Sequence, residues 1–262
     1  MLSYLFLALG GIAGGLLSGM LGIGGGIIVV PLLIYLLPLM DVPAALVAPM
    51  AVGTSLATIV VTTASSAYAH HKNRMILWGW VRLISPFLVI GGVVGGYLGA
   101  SIDPVVLQRV FATVLLLLAA RMIWKVQPRA QQQGIRPTPV RICSTLIGIV
   151  SALVGIGGGA LVVPLLHYYQ VLMRNAVAIA AVCSVMLALF GTATYAWMGR
   201  GGVEVSGAIG YIFVPAWLGI VVFSVLCAPL GAAVAHRLPV RYLQRAFAML
   251  LVGVSLHLFV ST

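Results

Sequence analysis

The chain has 262 residues, of which 62% are hydrophobic and only 6% are charged, and its formal net charge is +11. A water-soluble domain of this size carries roughly 25% charged residues to cover its surface, so this composition excludes a soluble globular protein. The positive charges lie mostly between apolar stretches and form no basic face with interleaved aromatic residues, which argues against a nucleic-acid partner. The composition therefore predicts an all-α polytopic membrane protein surrounded by the lipid bilayer.

Eight apolar stretches follow one another along the chain, four in each half. They run near residues 2–39, 42–69, 76–101, 105–124, 142–172, 175–198, 205–235 and 242–260. The first stretch of each half is too long for one straight span, because 38 helical residues rise about 57 Å and the hydrocarbon core is roughly 30 Å thick. We expect it either to cross twice as two short helices or to enter and return as a re-entrant hairpin. The protein would then have about 8–10 membrane segments.

Three consecutive glycines interrupt the first stretch of each half. The sequence GIGGG at residues 22–26 recurs 133 residues later at 155–159, and Pro31 likewise matches Pro164. A broken helix at membrane depth is tolerated only inside protein or beside a water-filled cavity. The helix that restarts after the glycines would present free N–H groups and the positive end of its dipole, which favour an anion. Paired broken helices in inverted halves are typical of the substrate site of a secondary transporter.

The chain is an internal duplication, with one repeat at residues 1–124 and a second at 142–262. Further matches occur near the ends of the repeats, where LQRVFA at 107–112 corresponds to LQRAFA at 243–248. The polar segment 125–141 links the two and is rich in Arg, so the positive-inside rule places it in the cytoplasm. An odd number of membrane crossings in each half would turn the second repeat upside down relative to the first. It would also place the basic loop of the second repeat, residues 236–241, in the cytoplasm. We therefore predict inverted repeats.

Short motifs in this order are similar to those of the sulfite exporter TauE/SafE family. They are the duplicated GIGGG…VP pattern, GTSL at residues 53–56 and GYLGA at 96–100. The resemblance covers essentially the whole chain. It implies a secondary transporter that moves a small sulfur-containing anion of the sulfite, sulfonate or sulfoacetate class, with export across the bacterial inner membrane as the expected direction.

The resemblance also implies which residues form the site. Carried over by position, the substrate-binding residues are Gly22, Gly24, Gly25, Gly26, Thr54, Ser55, Gly155, Gly157, Gly158, Gly159 and Ser184. Pro31 and Pro164 are expected to support the helix breaks near the end of the first turn. Arg109 and Arg245, which recur in the two LQR segments, and His167 are candidate gate or vestibule residues. The plainer alternatives are hydroxyls bonded back to their own helix and basic residues that anchor helix ends.

Other functions remain open from the sequence alone. An enzyme is not expected, because no HExxH or GxSxG motif occurs and the three acidic residues lie at the ends of stretches. Three cysteines without CxxC spacing predict neither a metal site nor a cofactor. Import of a sulfate- or thiosulfate-type anion and a non-transporting role as a membrane assembly subunit are the alternatives to export. The GxxxG spacing of Gly91, Gly95 and Gly99 predicts close helix packing, with a homodimer as one form of it.

Overall fold

The computed structural model describes residues 2–21, 24–123, 137–203, 205–235, 249 and 251–256. Two of the predicted site residues, Gly22 and Arg245, lie outside the described residues, as does most of the predicted linker. The described part of the chain is almost entirely helical, as the composition predicts for a polytopic membrane protein.

The helices follow the predicted apolar stretches closely. In chain order they are α1 (Leu2–Leu21), α2 (Gly26–Leu36), α3 (Ala44–Lys72), α4 (Trp78–Ser101), α5 (Pro104–Ile123), α6 (Pro137–Val154), α7 (Gly159–Tyr168), α8 (Met173–Met198) and α9 (Val214–Ala235). By length and composition, α3, α4, α6 and α8 can each cross a membrane. The short α2 and α7 have 11 and 10 residues. Each rises about 15 Å, half the thickness of the hydrocarbon core.

Two boundaries differ from those expected from the sequence. Helix α6 begins at Pro137 and so includes the last five residues of the predicted linker segment 125–141. Proline is favoured at a first helical position, where its missing N–H costs nothing. The predicted stretch 205–235 begins with a two-stranded antiparallel hairpin, β1 (Ala208–Ile209) and β2 (Ile212–Phe213), before α9 starts. A hairpin with two residues in each strand is too short to produce a recognisable strand pattern in an apolar sequence.

The two halves of the chain are intertwined rather than side by side. A Cβ atom on Gly91 or Gly95 of α4 would overlap the backbone carbonyl of Thr145 or Ile149 of α6, so these two helices run parallel in direct backbone contact. Helices α1 and α9 form the equivalent contact, in which Gly15 lies against the backbone of Ser224. The third long helix of each half therefore packs on the first helix of the other half.

The GxxxG glycines serve packing within one chain. Gly91, Gly95 and Gly99 are buried, and Gly99 lies against Leu153 of α6 and the hydroxyl of Tyr195. This face is filled by α6 and is not available to a second copy. The GxxxG spacing consequently gives no support for a homodimer, whose existence stays a prediction without a structural basis in this motif.

The long second helices of the two halves, α3 and α8, cross at the centre of the molecule. Gly53 lies against Tyr195, and Leu56 lies against Gly191, so residue numbers rise along one helix as they fall along the other. The two equivalent helices are thus antiparallel. Helix α3 is buried without interruption from Val47 to Ile59 and is the scaffold against which the glycine-rich segments pack.

Candidate functional site

Both GIGGG segments leave the helical conformation in the same way. Gly24 and Gly25 have φ angles of 81° and 75°, and Gly157 and Gly158 have φ angles of 78° and 76°. These left-handed torsions are readily adopted only by glycine, because a Cβ atom would collide with the backbone. The run of glycines is therefore needed for the backbone path itself, which distinguishes it from the packing glycines of α4.

Each short helix restarts directly after its glycines. The carbonyl of Gly25 accepts hydrogen bonds from Ile28 and Val29, and the carbonyl of Gly158 accepts from Leu161 and Val162, so the two N-termini are alike. Pro31 and Pro164 lie inside these helices, each as the sixth residue, slightly deeper than the first turn that we expected. A proline there donates no hydrogen bond to the carbonyl four residues earlier and so leaves a further polar group near the break.

The two breaks meet against the middle of α3. A Cβ atom on Gly24 would lie 3.2 Å from Cγ2 of Ile59, and one on Gly157 would lie 2.7 Å from the same atom. Gly26 stands directly against the carbonyl of Gly155. Ile59 is near the centre of the 29-residue helix α3, so both helix N-termini begin at mid-depth of this helix. Residues more than 100 positions apart in the sequence thus form one buried site.

Helix α3 supplies hydroxyl groups to the carbonyls of both breaks. Ser55 Oγ donates to the carbonyl of Gly155 at 2.9 Å. Thr62 Oγ1 donates to the carbonyl of Gly24 at 3.2 Å and shares its proton with carbonyls of its own helix. These bonds satisfy one buried carbonyl oxygen in each break. The hydroxyl of Ser55 holds the second break in this way, and its predicted role in substrate binding stays a prediction.

The hydroxyls of Thr54 and Ser184, which were also predicted to bind substrate, differ in their hydrogen-bond partners. Thr54 Oγ1 accepts a hydrogen bond of 2.9 Å from the backbone N–H of Phe213, which ties the hairpin to α3. Ser184, the repeat counterpart of Ser55, is 1% exposed, and its hydroxyl has no hydrogen-bond partner in the described part of the chain. The hydroxyl of Ser151 on α6 is equally buried and equally unpartnered there. Ser151 was missed from the sequence, although it matches Ser18 at the same displacement of 133 residues as the glycines.

The predicted gate residues that the structure describes are not at the breaks. Arg109 is exposed on α5, and His167 is exposed in the last turn of α7, about 12 Å along the helix axis from Gly159. Asp103 accepts a hydrogen bond of 2.9 Å from the N–H of Val105, as expected of a helix-capping residue. Among the described residues, the buried hydroxyl-bearing side chains are serines and threonines together with Tyr195, and no three potential metal ligands lie together.

Ser55→Ala is expected to destabilise the protein by about 1–3 kcal/mol, because the buried carbonyl of Gly155 then loses its partner. The thermal unfolding midpoint in detergent measures this effect. Thr58→Val is the matched control, since Thr58 lies on the same helix, is equally buried and bonds only to Thr54 of its own helix. Equal midpoints for Ser55→Ala and the control would show that the Ser55 bond does not hold the break.

An integral membrane helical bundle with two half-length helices that begin at buried glycine breaks has the architecture of a membrane transporter. The comparisons with known proteins agree with this class. The family model for the sulfite exporter TauE/SafE matches residues 7–258. The chain belongs to this family, which consists of membrane transporters and not of enzymes.

Named relatives are described in the same terms. A probable membrane transporter protein of Haemophilus influenzae is 35% identical over 251 residues, which cover 95% of each chain. A probable membrane transporter protein of Methanocaldococcus jannaschii is 26% identical over 236 residues, covering 88% of this chain and 85% of the relative. No solved structure matches the chain.

Proposed function

We propose that this protein is a secondary transporter that exports a small sulfur-containing anion, of the sulfite, sulfonate or sulfoacetate class, across the bacterial inner membrane. The observation that carries the proposal is the meeting of two glycine breaks, each the start of a helix, at mid-depth of α3. The family supports the sulfur-containing anion as the substrate.

Recognition of the anion would come from backbone groups. The amides in the first turn of a helix have no intrahelical acceptor, and the helix dipole adds positive partial charge at that end. Glycine has no side chain to keep an oxyanion away from these amides. The α3 hydroxyls donate to the carbonyls of Gly24 and Gly155, which partly offsets the negative partial charge of these two oxygens beside the amides.

The two halves would work as inverted repeats around this site. The antiparallel crossing of the equivalent helices α3 and α8 supports inversion, since repeats of the same orientation would place them parallel. The pairs Gly53–Tyr195 and Leu56–Gly191 define the spacing along this crossing. Extended by about one further turn, that spacing places Ile59 opposite Ala188, which is also its counterpart in the second repeat. Rocking of one repeat against the other would expose the breaks to each side in turn, with the linker 125–141 in the cytoplasm.

Export would be driven by the membrane potential. An inside-negative potential favours the exit of a monovalent anion by about 2.3 kcal/mol for each 100 mV. The described part of the chain has no buried carboxylate that could relay protons or bind Na⁺. A flux that ignores collapse of the potential but follows an imposed pH gradient would contradict this mechanism.

Flux measurements with break variants test the proposed function. Proteoliposomes loaded with labelled sulfite or ethanesulfonate are held at a set potential, and efflux is followed for wild type, Gly25→Leu and Gly158→Leu. Both variants place a large side chain at a left-handed position, and a Cβ at Gly158 already lies 3.0 Å from Leu187. We expect wild-type flux and its loss, by about tenfold or more, in both variants.

Gly79→Leu is the matched control, because a Cβ on Gly79 would meet nothing within 4 Å. All variants are checked for folding by size-exclusion chromatography. Absence of flux with every sulfur anion in otherwise intact proteoliposomes would overturn the substrate assignment. Full flux in both folded break variants would mean that the glycines have only a structural role.

A further inference from the structure

Two buried hydroxyl groups beside the second break have no partner in the described residues. Ser151 Oγ is 3.9 Å from the position of a Cβ on Gly158, the residue that caps α7. Ser184 stands one turn before Leu187 on α8, and Leu187 contacts the same Cβ position at 3.0 Å. Residues three apart on a helix share a face, so Ser184 lies on the face of α8 from which Leu187 reaches the N-terminus of α7, while Ser151 lies directly beside it.

Unpartnered polar groups of this kind require an explanation. A hydroxyl buried without a hydrogen bond costs free energy, and the large majority of buried side-chain polar atoms are satisfied. The described residues also leave backbone amides without a carbonyl acceptor at the same place: those of Gly158 and Ala160. Two hydroxyls and two amides at one helix N-terminus form a set of donors that a bound oxyanion would satisfy together.

The donor set carries no full positive charge. The buried hydroxyl-bearing side chains that the structure describes are Ser, Thr and Tyr195, none of them charged, and Arg82, Arg109 and Arg174 are all exposed. The cost of removing an ion from water rises with the square of its charge, so a dianion loses about four times as much hydration free energy as a monoanion of the same size. Four neutral donors offset the smaller cost more fully than the larger one.

We infer that Ser151 and Ser184, together with the amides of Gly158 and Ala160 at the start of α7, form a neutral oxyanion subsite that accepts the substrate as a monoanion, as a sulfonate group or hydrogensulfite presents it, and rejects dianions. This rests on the proposed function and narrows it, because it names two donors and the charge state of the transported species. It selects sulfonates and hydrogensulfite within the proposed class and excludes sulfoacetate, whose sulfonate and carboxylate together make it a dianion at neutral pH. Ser151 is a residue that neither the repeat motifs nor the family description assigns.

Three sulfur oxyanions of different charge test the inference. Wild-type proteoliposomes are assayed for flux of ethanesulfonate, a monoanion, and of ethane-1,2-disulfonate and sulfate, which are dianions. Ser151→Ala and Ser184→Ala are then assayed for ethanesulfonate KM. Ser144→Ala is the matched control, since Ser144 is a buried serine on α6 whose hydroxyl already donates to its own helix at Val140.

We expect transport of the monoanion and at least tenfold less of either dianion. Loss of one hydroxyl donor to a charged ligand should raise KM about tenfold or more in each variant, with Ser144→Ala unchanged. The thermal midpoint without ligand should stay the same or rise in Ser151→Ala, because an unsatisfied group has been removed, whereas a purely structural role would lower it.

Three results would overturn the inference. Equal flux of ethanesulfonate and a dianion would show that the site does not select by charge. An unchanged KM in the serine variants would show that the two hydroxyls do not bind the substrate. Both of these leave the proposed function standing, because ethanesulfonate is still transported. Absence of flux with all sulfur anions would overturn the inference together with the proposed function.

Discussion

Gly26→Ala is expected to reduce transport about tenfold or more and to destabilise the protein by about 1–3 kcal/mol. The added methyl group would overlap the carbonyl of Gly155 and lie 2.5 Å from Cδ1 of Ile59. The carbonyl belongs to the backbone of the second break and is held there by Ser55, so it cannot turn aside. The methyl group must therefore separate the two breaks. Efflux of ethanesulfonate and the thermal midpoint measure the two effects.

A second-site variant distinguishes separation of the two breaks from overlap with the side chain of Ile59 alone. Ile59→Val removes the Cδ1 atom but leaves the carbonyl of Gly155 in place, so it should not restore transport to Gly26→Ala. Gly79→Ala, at a position with nothing within 4 Å, controls for the change in helix propensity. Full recovery in the double variant would mean that the side chain of Ile59 alone limits the site and that contact between the breaks is not required.

Gly95→Leu is expected to prevent folding, with a loss of more than about 3 kcal/mol, the upper range for overpacking. Its Cβ would overlap the carbonyl of Ile149 and lie 2.8 Å from the Cα of the same residue. Helices α4 and α6 come from different halves, and the overlap involves backbone on both sides. The halves would be forced apart along one of the two equivalent helix contacts that join them. The yield of monodisperse protein after size exclusion in detergent and its unfolding midpoint report the result.

Val94→Leu is the control at the neighbouring position, since Val94 is 43% exposed on the outer face of the same helix. It should give a normal yield. The same experiment distinguishes a contact within the chain from one between copies. If the GxxxG face were a dimer interface, Gly95→Leu would give folded monomers, and the assignment of this face to α6 would be wrong.

Much of the architecture follows from local properties of the sequence. Hydrophobic length predicts the helices, because a segment in lipid must satisfy its own backbone hydrogen bonds. The helix breaks follow from the triple glycines, since the left-handed torsions of Gly25 and Gly158 are open to few other residues. The duplication and the family are also readable from the residues, because they depend only on order and spacing.

The roles of individual hydroxyls were decided only by the tertiary structure. Thr54, Ser55 and Ser184 looked equivalent in the sequence, yet one accepts from Phe213, one donates to Gly155 and one has no partner in the described chain. A serine can bond to its own helix, to a distant carbonyl or to a ligand at similar energy. The choice depends on which segment packs against it.

The residue contacts between the two breaks likewise could not be predicted from local properties of the sequence. Sequence spacing predicted that the glycines of both halves contribute to one site, but the contact of Gly26 with Gly155 and the position of Ile59 between them come from the packing of α3. The sequence by itself determined the membrane class, the repeat and the places where helices break, because backbone torsion and burial in lipid are local. Only the tertiary structure decided which hydroxyls have a partner among the described residues, because that depends on contacts between residues more than 100 positions apart.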